Sequence, residues 1–393
     1  MRKPKLIRIT TVPISLDILL KGQLGYMSAF FEVVGVSSSG TELEKIKERE
    51  GIRVEAVEMT RKVTPFRDLK SLWNLYRFLK IEKPEIVHTH TPKAGLLGMI
   101  AAKWAGVPIR MHTVAGLPLM EATGLKRKLL NFVEKLTYRS ATHIYPNSKG
   151  LYEFILNENF TSKSKLKIIG QGSSNGIDTE YFSPKQISEY QIAELKSELG
   201  IQKEDFVFVF VGRLVKDKGI NELVQAFSNL KLLSAVEDQT SNLKLILVGP
   251  LESELDPLLP ETLQEIQTNP DIISVGFQQD VRPYFAVSDC LVFPSYREGF
   301  PNVVMQAGAM GLPSIVTDIN GCNEIILENE NGMIIPVKDE NAIQEAMAKL
   351  KSNKDLYANL KINSRPSITS RFEQKRIWDE LKLEYQKLLQ NLH

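Results

Sequence analysis

Cysteine is almost absent from this 393-residue chain: Cys290 and Cys322 stand alone, each in an apolar or turn segment and neither in a CxxC pair. That pattern excludes a disulfide scaffold and a zinc ribbon, and it fits a reducing compartment. No run of about 18 or more uncharged apolar residues occurs, so no segment is expected to span a bilayer. The opening MRKPKLIRITTVPISLDILL is basic and then apolar, but Arg8 and Asp17 interrupt it and no small-residue cleavage site follows, which favours a first β-strand over a signal peptide. Gly and Pro, at 24 and 19 residues, are too few for a low-complexity chain. What remains is an ordinary globular composition, soluble and long enough for about two domains of ~100–200 residues.

The net charge of +2 conceals a split. Residues 1–180 carry 28 Lys+Arg against 17 Asp+Glu, whereas residues 181–393 carry 21 against 30. A basic half followed by an acidic half points to two domains with different partners, the first meeting an anionic surface or a phosphate-bearing substrate. Two solvated surfaces of unlike charge would read the same way. No nucleic-acid reading motif accompanies the basic half, so nucleic acid is not an expected partner.

Short apolar runs alternate with amphipathic helical stretches throughout, the pattern of a parallel sheet covered by helices. The expected strands are Leu6–Thr10, Glu32–Ser37, Glu85–His90, Arg110–Val114 and His143–Pro146 in the first half. In the second they are Phe206–Gly212, Leu243–Gly249, Ile272–Gly276, Cys290–Pro294, Ser314–Asp318 and Met333–Pro336. Several are apolar throughout, as strands buried on both faces must be. The Gly-, Ser- and Asn-rich segment Lys163–Pro184 divides the two sets. The expectation is an α/β protein of two doubly wound, Rossmann-like domains, residues 1–180 and 181–369, facing a deep cleft with ligands at the carboxyl ends of the strands. From about Ser370 a single amphipathic helix carrying Phe372, Trp378, Leu381, Tyr385 and Leu388 is expected to pack back toward the first domain.

Two segments carry chemistry. VGRLVKDKG, Val211–Gly219, follows a strand and precedes a helix, placing Gly212, Arg213 and Lys218 at a strand's carboxyl end. Gly212 admits a ligand close to the backbone, and the two cations can neutralise the oxygens of a departing diphosphate. The segment lacks the GxxxxGK[ST] spacing of a P-loop. PSYREGFPNVVMQAGAMG, Pro294–Gly311, again follows a buried strand: Glu298 lies in the loop, Gly299 permits close approach, and Pro301 suits a helix start whose N–H groups hold phosphate. Gln306, eight residues after Glu298, can both donate to and accept from a ribose diol.

Taken with GLPSIVTDINGCNEII, NGMIIPV and the linker NGIDTEYF, these segments resemble the retaining family-4 glycosyltransferases of GT-B fold, glycosyl transferases group 1, of the bacterial surface-polysaccharide type. The likeness is strong from about Phe206 to Val337; PEIVHTHTPKAGLLGMIAAKWAGVP in the first half is more loosely similar. The resemblance implies a nucleotide-sugar donor, usually a UDP-sugar, held by the second domain. Arg213 and Lys218 would stabilise the leaving diphosphate and Glu298 would bind hydroxyls of the transferred sugar, with Gly299, Phe300, Asn302 and Val303 lining the pocket. The family usually has a second Glu where this chain has Gln306, which keeps the hydrogen-bonding reach and loses the charge. The family is generally independent of metal at the chemical step, so no metal and no cofactor are expected, the two cations supplying the positive charge. No carboxylate is placed for a double displacement. Similarity favours attack by the acceptor from the face that the diphosphate leaves, with retention.

The first domain is expected to hold the acceptor. His88 and His90 alternate at a strand end and share a face, Lys93 begins the next helix, and His112 closes the next strand, where many relatives have a histidine at the Ala115 position instead. Gly22 and Gly25 suit either a close phosphate or a turn. Arg61, Lys62, Arg67, Lys126, Arg127 and Lys128, near Leu117, Pro118, Leu119 and Met120, would suit a membrane bearing a polyprenyl-diphosphate-linked acceptor, which implies a cytoplasmic enzyme at the inner face of the cell membrane. The expected activity is transfer of a hexose or N-acetylhexosamine to a glycan in capsule, exopolysaccharide or O-antigen synthesis. A nucleotide-sugar 2-epimerase of similar architecture and a non-catalytic nucleotide-sugar or glycan-binding subunit are the alternatives.

Overall fold

The computed structural model describes residues 2–62, 64–120, 122–236, 242–252, 254 and 256–392. The chain divides into two compact units, Met1–Gly176 with Gln374–His393, and Ile177–Glu373.

The first unit is built on six parallel strands, β1 (Lys5–Ile9), β2 (Glu32–Ser37), β3 (Arg53–Ala56), β4 (Ile86–His90), β5 (Ile109–Val114) and β6 (His143–Pro146), in the order β3-β2-β1-β4-β5-β6. β1 is central and buried along its whole length, pairing Ile7 with Val34 on one side and with Val87 on the other. β3 is the strand that the apolar pattern did not announce. It lies at the sheet edge, where Arg53, Glu55 and Ala56 face solvent, so it has no buried run to read. Helices Pro65–Glu82, Pro92–Ala105 and Gly124–Ser140 lie side by side on one face. The other face carries the C-terminal helix Gln374–Gln390, whose Leu381, Tyr385 and Leu388 pack with Leu6, Ile86, Met111 and Tyr145.

The second unit repeats the plan with β7 (Phe206–Val211), β8 (Leu243–Val248), β9 (Ile272–Gly276), β10 (Cys290–Phe293), β11 (Ser314–Thr317) and β12 (Gly332–Ile335), in the order β12-β11-β10-β7-β8-β9. In each sheet the order reverses beside the unit's first strand, β1 or β7, the topological switch point where doubly wound sheets gather ligands. The final helix does not begin at Ser370. Residues Lys354–Phe372 form a separate helix, Glu373 is extended (φ −55°, ψ 132°) and breaks it, and Phe372 is buried in the second unit against Phe300.

Candidate active site

In the second unit the turn after β7 is clamped between the ends of its two neighbours. On the β8 side, Gly249 ends the strand at φ +148°, and a Cβ there would lie 1.8 Å from the Gly212 carbonyl oxygen; Leu214 N donates to Pro250 O at 2.8 Å. On the β10 side, Gly219 has φ +71°, and a Cβ there would meet the Pro294 carbonyl oxygen at 2.2 Å, while Tyr296 N donates to Asp217 O at 2.9 Å. Only residues without a side chain permit these approaches. They bring the Lys216–Lys218 turn against the loop after β10, and the two sequence motifs become one site.

Lys218 Nζ donates to Glu298 Oε1 at 2.5 Å, and Ser295 Oγ donates to the same oxygen at 3.0 Å. Both side chains of the ion pair are largely covered, at 15% and 17% exposure, so the pair is only weakly screened by water. The loop holding Glu298 is fixed from β11's end: Asn320 Nδ2 donates to Gly299 O at 2.5 Å and Glu298 O at 3.2 Å, and Gly321 packs against Gly299 and Phe300. Asn302 and Val303 open the eight-residue helix Asn302–Ala309, with Pro301 as the residue before it. Gln306, half-buried on the same helix, follows one turn on. Phe300 is buried and packs edge-on to Phe372 with ring centroids 5.4 Å apart, which makes it a support for the loop. Arg213 lies further out: its half-exposed guanidinium donates to Glu252 at 2.9 Å. Cys322 is buried near the Lys218–Glu298 pair; burial pushes its thiol well up, and the Glu298 carboxylate adds to the effect.

Ser295, Asn320 and Glu252 were not singled out from sequence. The first two lie inside the quoted motifs, and their polar side chains beside Gly or Pro were the available signal; Glu252 carried none.

The first-unit candidates are placed differently from expectation. His88 and His90 do share a face, with ring centroids 4.4 Å apart, but both are buried. His88 bonds through Nδ1 to Tyr385 Oη at 2.6 Å and through Nε2 to Thr113 Oγ1 at 2.7 Å, while His90 Nε2 accepts from Arg8 Nη2 at 2.8 Å. His112 sits under the opposite face, bonded to Thr89 Oγ1 at 2.8 Å and packed on Gly95, where a Cβ would come within 2.3 Å of the ring. All three rings are buried, His88 with both nitrogens bonded and His90 and His112 with one each bonded inside the unit. Lys93 Nζ is held by Asp68 at 2.8 Å. The Gly22 and Gly25 amides donate to Glu50 at 2.8 and 2.9 Å; Gly22 turns the chain at φ +78°, and Gly25 lies within the helix that follows. Leu117 and Leu119, expected to face a membrane, are buried, while Met120 is exposed.

Burial holds His112 down at about 4, and burial with the Arg8 guanidinium nearby lowers His88 and His90 as well. All three are neutral when folded, whereas an unfolded imidazole takes a proton near 6.5. Their contribution to stability is complete above that pH and is lost as the pH falls toward 4. Glu134, raised to about 7 by burial, opposes them over the same window because its folded form binds the proton first. His143, also lowered by burial, acts with the three, and four groups against one leave a net loss of stability on acidification between pH 6.5 and 5, about 1.4 kcal/mol per pH unit for each net proton taken up by the unfolded chain. Urea melts should show this fall; a flat profile from pH 7.5 to 5 would contradict it.

Residues 191–366 match the family described as "Glycosyl transferases group 1", and residues 25–172 match "Glycosyl transferase 4-like domain". The chain is 34% identical over 390 residues, 99% of its own length and 98% of the relative's, to the "Capsular polysaccharide biosynthesis glycosyltransferase CapM" of Staphylococcus aureus. The chain belongs to the group 1 glycosyltransferases. This glycosyltransferase is also 31% identical over 330 residues, 82% of the chain and 81% of the relative, to the "UDP-Gal:alpha-D-GlcNAc-diphosphoundecaprenol alpha-1,3-galactosyltransferase" of Escherichia coli. Its fold superposes with TM-score 0.81 on the crystal structure of Anabaena Alr3699/HepE in complex with UDP and glucose, covering 98% of this chain and 100% of that one at 17% identity. That likeness establishes the GT-B architecture for the glycosyltransferase. Among its described residues no helix is long and apolar enough to cross a membrane.

Proposed function

We propose that this glycosyltransferase moves a hexose or N-acetylhexosamine from a nucleotide diphosphate sugar, a UDP-sugar in the first instance, to a glycan carried on a polyprenyl diphosphate, with retention of configuration, in the synthesis of a surface polysaccharide. The second unit would bind the donor and the first unit the acceptor at the inner face of the cell membrane. The observation that carries this reading is the Lys218–Glu298 pair at the switch point of the second sheet, beside the start of the helix Asn302–Ala309. Lys218 would exchange part of its contact with Glu298 for a phosphate oxygen and stabilise the charge that grows on the leaving diphosphate. Arg213 would do the same by leaving Glu252. Both side-chain bonds to Glu298 fall on Oε1, which leaves Oε2 to accept from sugar hydroxyls. The N–H groups of Asn302 and Val303 would take the remaining phosphate oxygens, and Gln306 the ribose. The two relatives, one named for capsular polysaccharide synthesis and one for transfer from UDP-Gal to a diphosphoundecaprenol-linked acceptor, support the same chemistry.

The test is turnover of a panel of UDP-, GDP- and ADP-sugars with a polyprenyl-diphosphate-linked glycan, following both glycan product and anomeric configuration. An inverted product or hydrolysis without transfer would defeat the reading. Interconversion of free nucleotide sugars at the 2-position would replace it with an epimerase. Gln306→Glu restores the charge common in the family, and it should keep transfer while shifting the donor KM by less than about tenfold, because a ribose bond near the surface contributes about 1 kcal/mol. A larger change in kcat than in KM would remove Gln306 from the ribose.

A further inference from the structure

We propose that the outer faces of helices Pro65–Glu82 and Gly124–Ser140 form one amphipathic surface that docks on an anionic lipid bilayer. The inference rests on the reading of the acceptor as lipid-linked and adds which residues meet the lipid. Both helices flank Pro92–Ala105 on the same face of the first sheet. One follows β3 and the other β5, so both begin at the carboxyl edge of that sheet, the edge where ligands of such folds gather.

Phe66, Leu69 and Trp73 fall at i, i+3 and i+7 on the first helix, and Leu125, Leu129 and Phe132 at i, i+4 and i+7 on the second. Each set is a single stripe, and both occupy the half nearest that edge. The core is served by other positions, such as Leu72, Leu75 and Leu79 on the first helix and Thr137 and Tyr138 on the second. Phe66 is 90% exposed, Leu125 84%, and the other four more than half. Exposed apolar residues scattered singly need no explanation; six on two stripes, on the helices either side of Pro92–Ala105, mark an interaction site.

Charge selects the occupant. The two helices carry nine Lys and Arg against three Asp and Glu. Of the three acids, Asp68 is paired with Lys93 at 2.8 Å, Glu82 with Lys5 at 2.8 Å, and Glu134 is buried. Every fully exposed charged side chain on these helices is therefore cationic, and Arg61 and Lys62 just before the first helix add to them. A second copy of the same face would be repelled. A nucleic acid would meet the cations and leave six large apolar side chains in water. Anionic lipid meets both needs, its phosphates facing Lys and Arg while Leu, Phe and Trp enter the headgroup boundary. The acceptor's diphosphate would then be presented beside the carboxyl edge of the first sheet.

The experiment is co-sedimentation of the full chain with phosphatidylglycerol/phosphatidylcholine vesicles and with phosphatidylcholine alone, followed also by tryptophan emission. The parent should partition at least about tenfold more strongly onto the anionic vesicles, with a blue shift from Trp73. The triple variants Phe66→Ser/Leu69→Ser/Trp73→Ser and Leu125→Ser/Leu129→Ser/Phe132→Ser change exposed residues only. Each should lose about tenfold or more in partition while keeping its circular dichroism. Equal partition of the parent onto both vesicles, or triple variants that bind as the parent does, overturns the proposal. So does a change in sedimentation mass of either variant without lipid, which would assign the patch to self-association. Transfer to a short-chain, water-soluble acceptor should be unchanged in both variants; a parent that binds anionic vesicles but transfers nothing to that acceptor contradicts the activity and not this surface.

Discussion

Lys218→Ala should lower kcat by about 10²–10³-fold, the usual cost of removing one donor aimed at charge that develops in the transition state, with a smaller rise in donor KM. The reason lies in the surroundings of the ammonium. It is largely covered, backed by Glu298 at 2.5 Å, and set in a turn that Gly219 presses against the Pro294 carbonyl, so backbone contact fixes where it stands. Arg213 is tethered further out to Glu252. Glu298→Ala should also be severely impaired, since it removes the proposed contact to the sugar and the partner that fixes Lys218. Because the two side chains act as a pair, the double variant should lose about as much as the worse single one, and not the product of the two. Steady-state kinetics of the four proteins of this cycle, with UDP binding measured separately, checks the claim. Turnover within twofold of the parent in Lys218→Ala, or strictly additive losses, would remove Lys218 from the reacting centre.

Depth of burial separates what the sequence disclosed from what it did not. Strands such as Phe206–Val211 and Cys290–Phe293 are covered on both faces, so their apolar runs located them and, with them, the loops that carry Lys218 and Glu298. β3 escaped because an exposed edge strand has no such run. Strand parity correctly put His88 and His90 on one face, but parity gives the face and not what covers it. The cover is Tyr385, almost 300 residues away on the C-terminal helix, which bonds to His88 at 2.6 Å. Glu252 lies 39 residues from Arg213, and the two meet because the turns after β7 and β8 are held together by backbone contact, a long-range fact without local sequence signature.

That contact predicts the largest effect on stability. Gly249→Ala should destabilise the second unit by roughly 2–4 kcal/mol, lowering its unfolding midpoint by roughly 6–12 °C, and should weaken UDP binding at least tenfold. The new methyl group would lie 1.8 Å from the Gly212 oxygen and 2.7 Å from its carbonyl carbon, and these are backbone atoms that cannot turn aside. Relief requires the end of β8 to part from the turn after β7, at the expense of Gly212 N to Val248 O at 2.9 Å and Leu214 N to Pro250 O at 2.8 Å. Gly212 and Arg213 move with that turn, so the proposed donor site should be disturbed together with the fold. Gly200→Ala is the control: Gly200 has φ +65° and nothing within 4 Å of its Cβ position. It therefore carries only the left-handed backbone penalty of about 1–2 kcal/mol and should leave nucleotide affinity alone. If Gly249→Ala costs no more than Gly200→Ala, the close approach of the two turns is not what holds the proposed donor site together.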